Sequence, residues 1–121
     1  MNLGHEQYVS VTTYRRDGTP VATPVWVAQD GAAVVIWTVA TSGKIKRIRA
    51  NPEVTVAPCD LRGNVRGEPV KGRAEILSAA QTAKVRALLR RKYGLQGRLV
   101  LLGSRLRRGA TGTVGVRITD I

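Results

Sequence analysis

A chain of 121 residues and 13.1 kDa is the size of one domain and leaves no room for a separate cofactor module. Hydrophobic residues make up 43% of it and charged residues 23%, a globular and not a disordered balance. Lys and Arg number 20 against 8 Asp and Glu, and the net charge of +12 favours an anionic partner: a phosphorylated ligand, nucleic acid or an acidic membrane surface.

The lone cysteine, Cys59, excludes an intrachain disulfide, and with His5 as the only histidine it cannot build a zinc site. No apolar run approaches the ~18 residues that a membrane span needs. Met1 to Gln7 lacks the apolar stretch of a signal peptide, so the expectation is a soluble protein of a reducing cytoplasm.

In chain order, Tyr8 to Tyr14 (YVSVTTY) is dense in β-branched and aromatic residues and reads as a strand. Asp17-Gly18 is a hairpin signal, and Pro20 to Ala28 is the returning strand. Pro24 cannot donate to a ladder and marks an edge, a bulge or a break. Asp30-Gly31 turns the chain again into Ala33 to Thr38 (AVVIWT), a strand apolar enough to be buried on both faces. These strands are expected to form a three-stranded meander.

Ser42 is a good N-cap, and Asn51-Pro52 stops the helix it opens. Ile45 and Ile48 share one face of that short helix, and Lys46 and Arg47 point the other way. Val54 to Cys59 and Val70 to Leu77 are further strands, with Asp60 to Asn64 as a loop. Ser78-Ala79-Ala80-Gln81 fits a capping box and opens a helix that carries Val85, Leu88 and Leu89 and ends near Tyr93-Gly94. Gln96 to Leu106 has leucines at helical spacing interrupted by glycines. Gly112 to Thr119 alternates as a last strand. Six strands with two or three helices, hairpins first, predict a mainly β (α+β) fold: one antiparallel barrel spanning residues 1–121 with peripheral helices. G-x-G-x-x-G and P-loop motifs are absent.

The chemistry-bearing residues are few. His5 sits near the chain start, away from any Ser or Asp arrangement that suggests a triad. Cys59 lies beside Asp60, whose charge would raise a thiol pKa, so a buried structural role is expected. No catalytic side chain and no metal site is assigned, and an enzyme of this kind would rely on a bound cofactor.

The anion-binding candidate is Ser42-Gly43-Lys44. A helix N-terminus offers free N–H groups and a positive dipole end, Gly43 allows close approach, and Lys46 and Arg47 extend the field for a longer anionic chain. An ordinary capped helix with a solvated basic face is the alternative. Trp26 and Trp37, across the Asp30-Gly31 turn, either pack together in the core or flank a flat ring system. Pro24 would leave backbone groups nearby free to bond a heterocycle. Ten Lys or Arg and no acid lie between Glu75 and Asp120. The cluster Lys84 to Lys92 and the residues Arg105, Arg107 and Arg108 could meet phosphates. Aromatics at 4% and no Phe leave poor stacking platforms for single strands, and no helix-turn-helix or finger signature is evident, so nucleic acid is not the expected partner.

Three segments in order, YVSVTTYRRDGTPVATPVWVA, WTVATSGKIKRIRANPEVTVAPCDLRGNV, and KGRAEIL with RRKYG, resemble the small split β-barrel flavin and deazaflavin oxidoreductases of actinobacteria, relatives of pyridoxamine 5'-phosphate oxidase. The closest branch is that of probable coenzyme F-420-dependent enzymes, and the resemblance covers roughly residues 8 to 95. It implies a six-stranded split barrel and a cytoplasmic homodimer with cofactor sites between subunits. The implied cofactor is the deazaflavin coenzyme F-420, with FMN as the alternative. Its phosphate would sit at Ser42, Gly43, Lys44 and Lys46, with Arg47 beside the acidic tail. Its ring would lie against the Thr23, Pro24, Val25 and Trp26 backbone near Thr38, and Pro58 and Cys59 of the second subunit would close the site. Hydride transfer to an electron-poor small molecule needs no protein nucleophile. An FMN-binding oxidase-like enzyme, a non-catalytic flavin carrier and a basic nucleic-acid-binding domain are the competing readings. Relatives carry a leading helix that is short or missing here, and Arg108 to Gly112 is unlike a regular closing hairpin.

Overall fold

The chain leaves its second strand at Trp26, and that one residue sets the architecture. The computed structural model describes residues 3–108 and 112–121. Seven strands form one antiparallel sheet: β1 (Tyr8–Tyr14), β2 (Pro20–Val25), β3 (Val27–Asp30), β4 (Ala33–Val39), β5 (Glu53–Cys59), β6 (Val70–Ile76) and β7 (Thr113–Thr119). Their order is β2-β1-β5-β6-β7-β4-β3, so β2 and β3 occupy opposite edges. Only Trp26 joins them, and one residue spans at most about 3.6 Å. The two edges must therefore meet, and the sheet rolls into a barrel with a seam between β2 and β4.

This corrects the expected meander and the count of six strands. The hairpins β1–β2 and β3–β4 form as read, with Val9 opposite Val25 and Val27 opposite Ile36. The run expected as one strand over 20–28 is instead two, because the chain crosses from one edge to the other. Pro24 lies on the edge strand β2, opposite Ser10, where a missing N–H is tolerated.

The barrel interior is built by alternation. Val9 and Val11, Val34 and Ile36, Val54 and Val56, and Val116 and Ile118 point inward and are buried. Ile45 and Ile48 of α1 (Gly43–Ala50) join that core, and the helix lies against β1 and β6. A second apolar cluster sits outside the barrel, under α2 (Ala79–Arg108), which packs on β3, β4 and β7. Here Ala28, Val35, Leu77, Val85 and Leu89 are buried, with Trp26, Trp37 and Tyr93 packed against them. Gly115 permits the close approach, since a Cβ there would stand 2.9 Å from a Val85 methyl. The Thr82 hydroxyl accepts the Gly115 N–H at 3.0 Å.

The capping box forms as read: the Ser78 hydroxyl accepts the Gln81 N–H at 3.3 Å, and Gln81 Oε1 accepts the Ser78 N–H at 3.1 Å. The helix is interrupted at Gly94, whose φ of 59° only glycine adopts freely, at its expected end. Helical backbone then resumes through the ambiguous stretch to Arg108. The glycine-rich residues 109–111 and the side chains of Arg105, Arg107 and Arg108 lie outside the described residues. Among the described residues no helix is long and apolar enough to cross a membrane.

Candidate cofactor site at the barrel seam

The first turn of α1 converges on an anion site. Ser42 caps the helix, its hydroxyl accepting the Ile45 N–H at 3.4 Å, and no acid lies in the first turn. Lys44 is 93% buried from the outset of the helix, exposing only 7% of its surface. Its ammonium reaches one side-chain partner, the Thr38 hydroxyl, at 3.5 Å, the far limit of a hydrogen bond. Arg47 folds back along the same face. Its Nε donates to the Thr13 hydroxyl at 2.7 Å, and its Nη1 lies 2.8 Å from where a Cβ on Gly43 would be. Burial, with the Arg47 charge adding to it, lowers the Lys44 pKa from 10.5 to about 8. Two converging cations, one of them buried, leave an electrostatic demand that an anion satisfies. Lys46, by contrast, is exposed.

The seam supplies the second half. The β3–β4 ladder ends at Val27–Ile36, and a continued register would set Val25 against Thr38. The chain instead leaves β4 at Trp26, so β2 has β1 as its one strand partner and the seam-facing flank of residues 23–25 has none. Thr23 lies here, with its hydroxyl buried and without a hydrogen-bond partner. β2, with Thr23, Pro24 and Val25, thus meets β4 across the seam, and β4 carries Thr38, whose hydroxyl accepts from Lys44. A flat heterocycle with carbonyl and N–H edges fits such a flank, because it can use the backbone groups and the orphaned hydroxyl.

Trp26 does not offer its ring to that opening. The indole stacks on Tyr93, with centroids 4.2 Å apart and planes 8° off parallel, and both tryptophans belong to the cluster under α2. Both tryptophans are half-buried against that cluster, and Trp26 has one ring face covered by Tyr93. The Trp37 Nε1–H is nonetheless buried without a partner.

Lys92, expected among the cations that could meet phosphates, instead binds backbone carbonyls, and Tyr93, expected only as a helix end, joins it. Both lie in the last turn before Gly94 and cap β3, an exposed edge. The Tyr93 hydroxyl donates to the Gln7 carbonyl at 2.6 Å and accepts the Val27 N–H at 3.2 Å. The Lys92 ammonium donates to the carbonyls of Gly4 at 2.8 Å and Val27 at 2.7 Å, and to that of Glu6. Burial raises the Tyr93 pKa and lowers that of Lys92. These bonds hold the chain just past Trp26, and with it the mouth of the seam. Tyr93→Phe should cost about 1–3 kcal/mol in urea unfolding, because it strips the half-buried Val27 N–H of its partner.

Pro58 and Cys59 end β5 opposite Val9 and Tyr8, and both are buried within the chain. Burial and then Asp60 raise the Cys59 pKa, which suits a structural thiol and not a nucleophile. The neighbouring loop from Asp60 approaches β2, since a Cβ at Gly63 would stand 3.8 Å from Pro24. Among the described residues no cluster of His, Cys, Asp or Glu could hold a metal. A cleft of about 670 Å³ beside Tyr14, Arg16, Glu53, Lys71 and Arg73 contains neither Lys44 nor Thr23, and its charges are of mixed sign.

Comparison with known proteins agrees with this fold. The family model described as pyridoxamine 5'-phosphate oxidase matches residues 2–114. A solved structure named "F420 Reductase" is 23% identical with a TM-score of 0.68, covering 97% of this chain and 89% of its own. A conserved hypothetical protein from Mycobacterium tuberculosis is 24% identical at a TM-score of 0.70, covering 94% of this chain and 72% of its own. An FAD-binding protein from Mesorhizobium loti is 21% identical at 0.62, covering 97% of this chain and 81% of its own. No curated protein matches the chain. At these identities the solved structures establish the fold, and the matched family includes oxidoreductases with flavin-type cofactors as well as non-enzymatic carriers. With its split barrel and a match over nearly its whole length, the chain belongs to the pyridoxamine 5'-phosphate oxidase family.

Proposed function

We propose that the protein is an oxidoreductase that uses the deazaflavin coenzyme F-420 to reduce an electron-poor organic molecule. The observation that carries this is the buried Lys44 ammonium at the N-terminus of α1, beside Arg47 and with a hydroxyl at 3.5 Å as its side-chain partner. Ser42, Gly43, Lys44 and Arg47 would hold the cofactor phosphate, and the exposed Lys46 and Arg49 would extend that field along an acidic tail. Thr38 and the flank of Thr23, Pro24 and Val25 would orient the ring. The reduced deazaflavin supplies a hydride when bound. The chain's contribution is placement and exclusion of water: Lys44 neutralises the phosphate, Thr23 offers its hydroxyl to a ring edge, and Tyr93 and Lys92 keep the seam's mouth in register. No protein nucleophile is needed, which suits the structural assignment of Cys59.

A homodimer in the cytoplasm, with the β5 end near Pro58 and Cys59 of a second copy against the seam, is part of the proposal. FMN would satisfy Lys44 equally but would leave Lys46 and Arg49 without an anionic chain. The test is anaerobic incubation with the reduced deazaflavin and a panel of quinones, enones and nitroaromatics, following recovery of the oxidised cofactor's visible absorbance. Recovery above the protein-free rate supports the enzyme. Binding without recovery for any acceptor favours the carrier.

Thr23→Val separates folding from binding. Replacing a buried hydroxyl that lacks a partner should leave the cofactor-free protein as stable or up to ~1 kcal/mol more stable. The same change should weaken deazaflavin binding several-fold. Unchanged affinity would remove Thr23 from the site.

A further inference from the structure

We infer that the outer face of α2 binds the phosphate backbone of duplex nucleic acid, a surface separate from the seam. No acid occurs between Glu75 and Asp120, so every charged residue of α2 is basic. At 100° per residue the stretch from Ala79 to Tyr93 turns Thr82, Val85 and Leu89 toward the sheet, and all three are buried. The opposite face is exposed and has an ordered composition. Ala80, Ala83 and Ala87 form its ridge. Lys84 and Arg91 run along one side of that ridge, and Arg86 and Arg90 along the other, about 130° apart around the axis. Among the described residues none of these four cations has an ion pair or hydrogen-bond partner. Arg117, at the foot of the helix, is by contrast neutralised by Asp30 at 3.1 Å and Glu75 at 3.7 Å.

The arrangement selects among polyanions. A flat anionic membrane would meet the ridge, and the ridge has only alanines to insert where interfacial helices present Leu, Phe or Trp. A single strand would need stacking platforms, and the exposed residues of this face include no aromatic. Two basic rails flanking a thin ridge match two phosphate lines flanking a groove: a helix about 10–12 Å across enters a major groove about 12 Å wide. The contacts reach phosphate and not base edges, so binding would be independent of sequence.

The experiment measures anisotropy of the full chain on a labelled duplex of arbitrary sequence over a salt series, with anionic phosphatidylglycerol vesicles as a second probe. Two variants with equal loss of charge are compared. One carries Lys84→Gln, Arg86→Gln, Arg90→Gln and Arg91→Gln. The other carries Arg16→Gln, Arg62→Gln, Lys71→Gln and Arg73→Gln. All are surface or half-buried cations, and circular dichroism checks that both variants fold. The α2 variant should lose more than tenfold in duplex affinity, and its slope of log affinity against log salt should flatten by about 3. The control variant should change less than threefold. Equal losses in both variants would reduce the effect to net charge and overturn the assignment. So would absence of duplex binding, or vesicle binding that exceeds it.

Discussion

Lys44→Met should make the cofactor-free protein more stable and the cofactor weaker-binding. Burial holds the Lys44 pKa near 8 against 10.5, so at neutral pH the folded state carries a charge that its surroundings disfavour. A shift of that size corresponds to a penalty on the order of 3 kcal/mol. The sign follows from proton counting. Between about pH 8 and 10.5 the unfolded chain binds more protons at this site than the folded one, so wild-type stability rises with pH through that window. Below pH 8 the whole penalty is present. The variant has no such group. It should exceed wild type by ~1–3 kcal/mol at pH 7, and the gap should close toward pH 10.5. Chemical denaturation at pH 7 and pH 10 measures both points. An anion against Lys44 restores its charge, so cofactor binding near pH 9 should take up a proton. Loss of that ammonium should weaken binding about 10–100-fold, the value of a charge-assisted bond of 1.5–3 kcal/mol. Lower stability of the variant at pH 7 would mean that Lys44 is already paired and not waiting for a ligand.

Leu89→Ala should be among the most damaging core changes, at about 2–5 kcal/mol. Leu89 is fully buried between α2 and the outer face of the sheet, in the cluster of Ala28, Val35, Leu77 and Val85. Its loss leaves a cavity that Val85 cannot fill without leaving Gly115, against which it is already closely packed. The consequence reaches the seam, because Lys92 and Tyr93 are one turn further along the same helix and cap the Val27 backbone. Urea unfolding should show a lower midpoint with an unchanged slope. Ala83→Ser on the exposed face of α2 should stay within about 0.5 kcal/mol of wild type. A Leu89→Ala cost below 1 kcal/mol would show that α2 is not anchored as described.

Local signals were legible in the sequence to the extent that local chemistry decides them. Both Asp-Gly hairpins, the Ser42 cap, the stop at Asn51-Pro52 and the Ser78–Gln81 box depend on a few adjacent residues, and each forms where its residues predict. The order of strands depends on closure of a barrel, which no adjacent residues encode. The crossing at Trp26 has no local signal, so the sequence predicts one strand over 20–28 where the barrel has β2 and β3, and six strands in place of seven. The site was half legible. Ser42, Gly43 and Lys44 stand out as a helix start with a cation, but the burial of Lys44 follows from the position of α1 against β1 and β6. Tyr93 could have been suspected from an aromatic residue just before a glycine at a helix end. Its partners at Gln7 and Val27 are distant in sequence, and so was its role.

The most direct test of the account is an equilibrium titration of wild type and Lys44→Met with coenzyme F-420 and with FMN, at low and high salt, read by tryptophan fluorescence. The account predicts that wild type binds the deazaflavin more tightly than FMN, that salt narrows this preference by screening Lys46 and Arg49, and that Lys44→Met loses at least tenfold for both. Equal affinities in wild type and variant, or binding of neither cofactor, would contradict the assignment of the seam and the α1 terminus as the cofactor site.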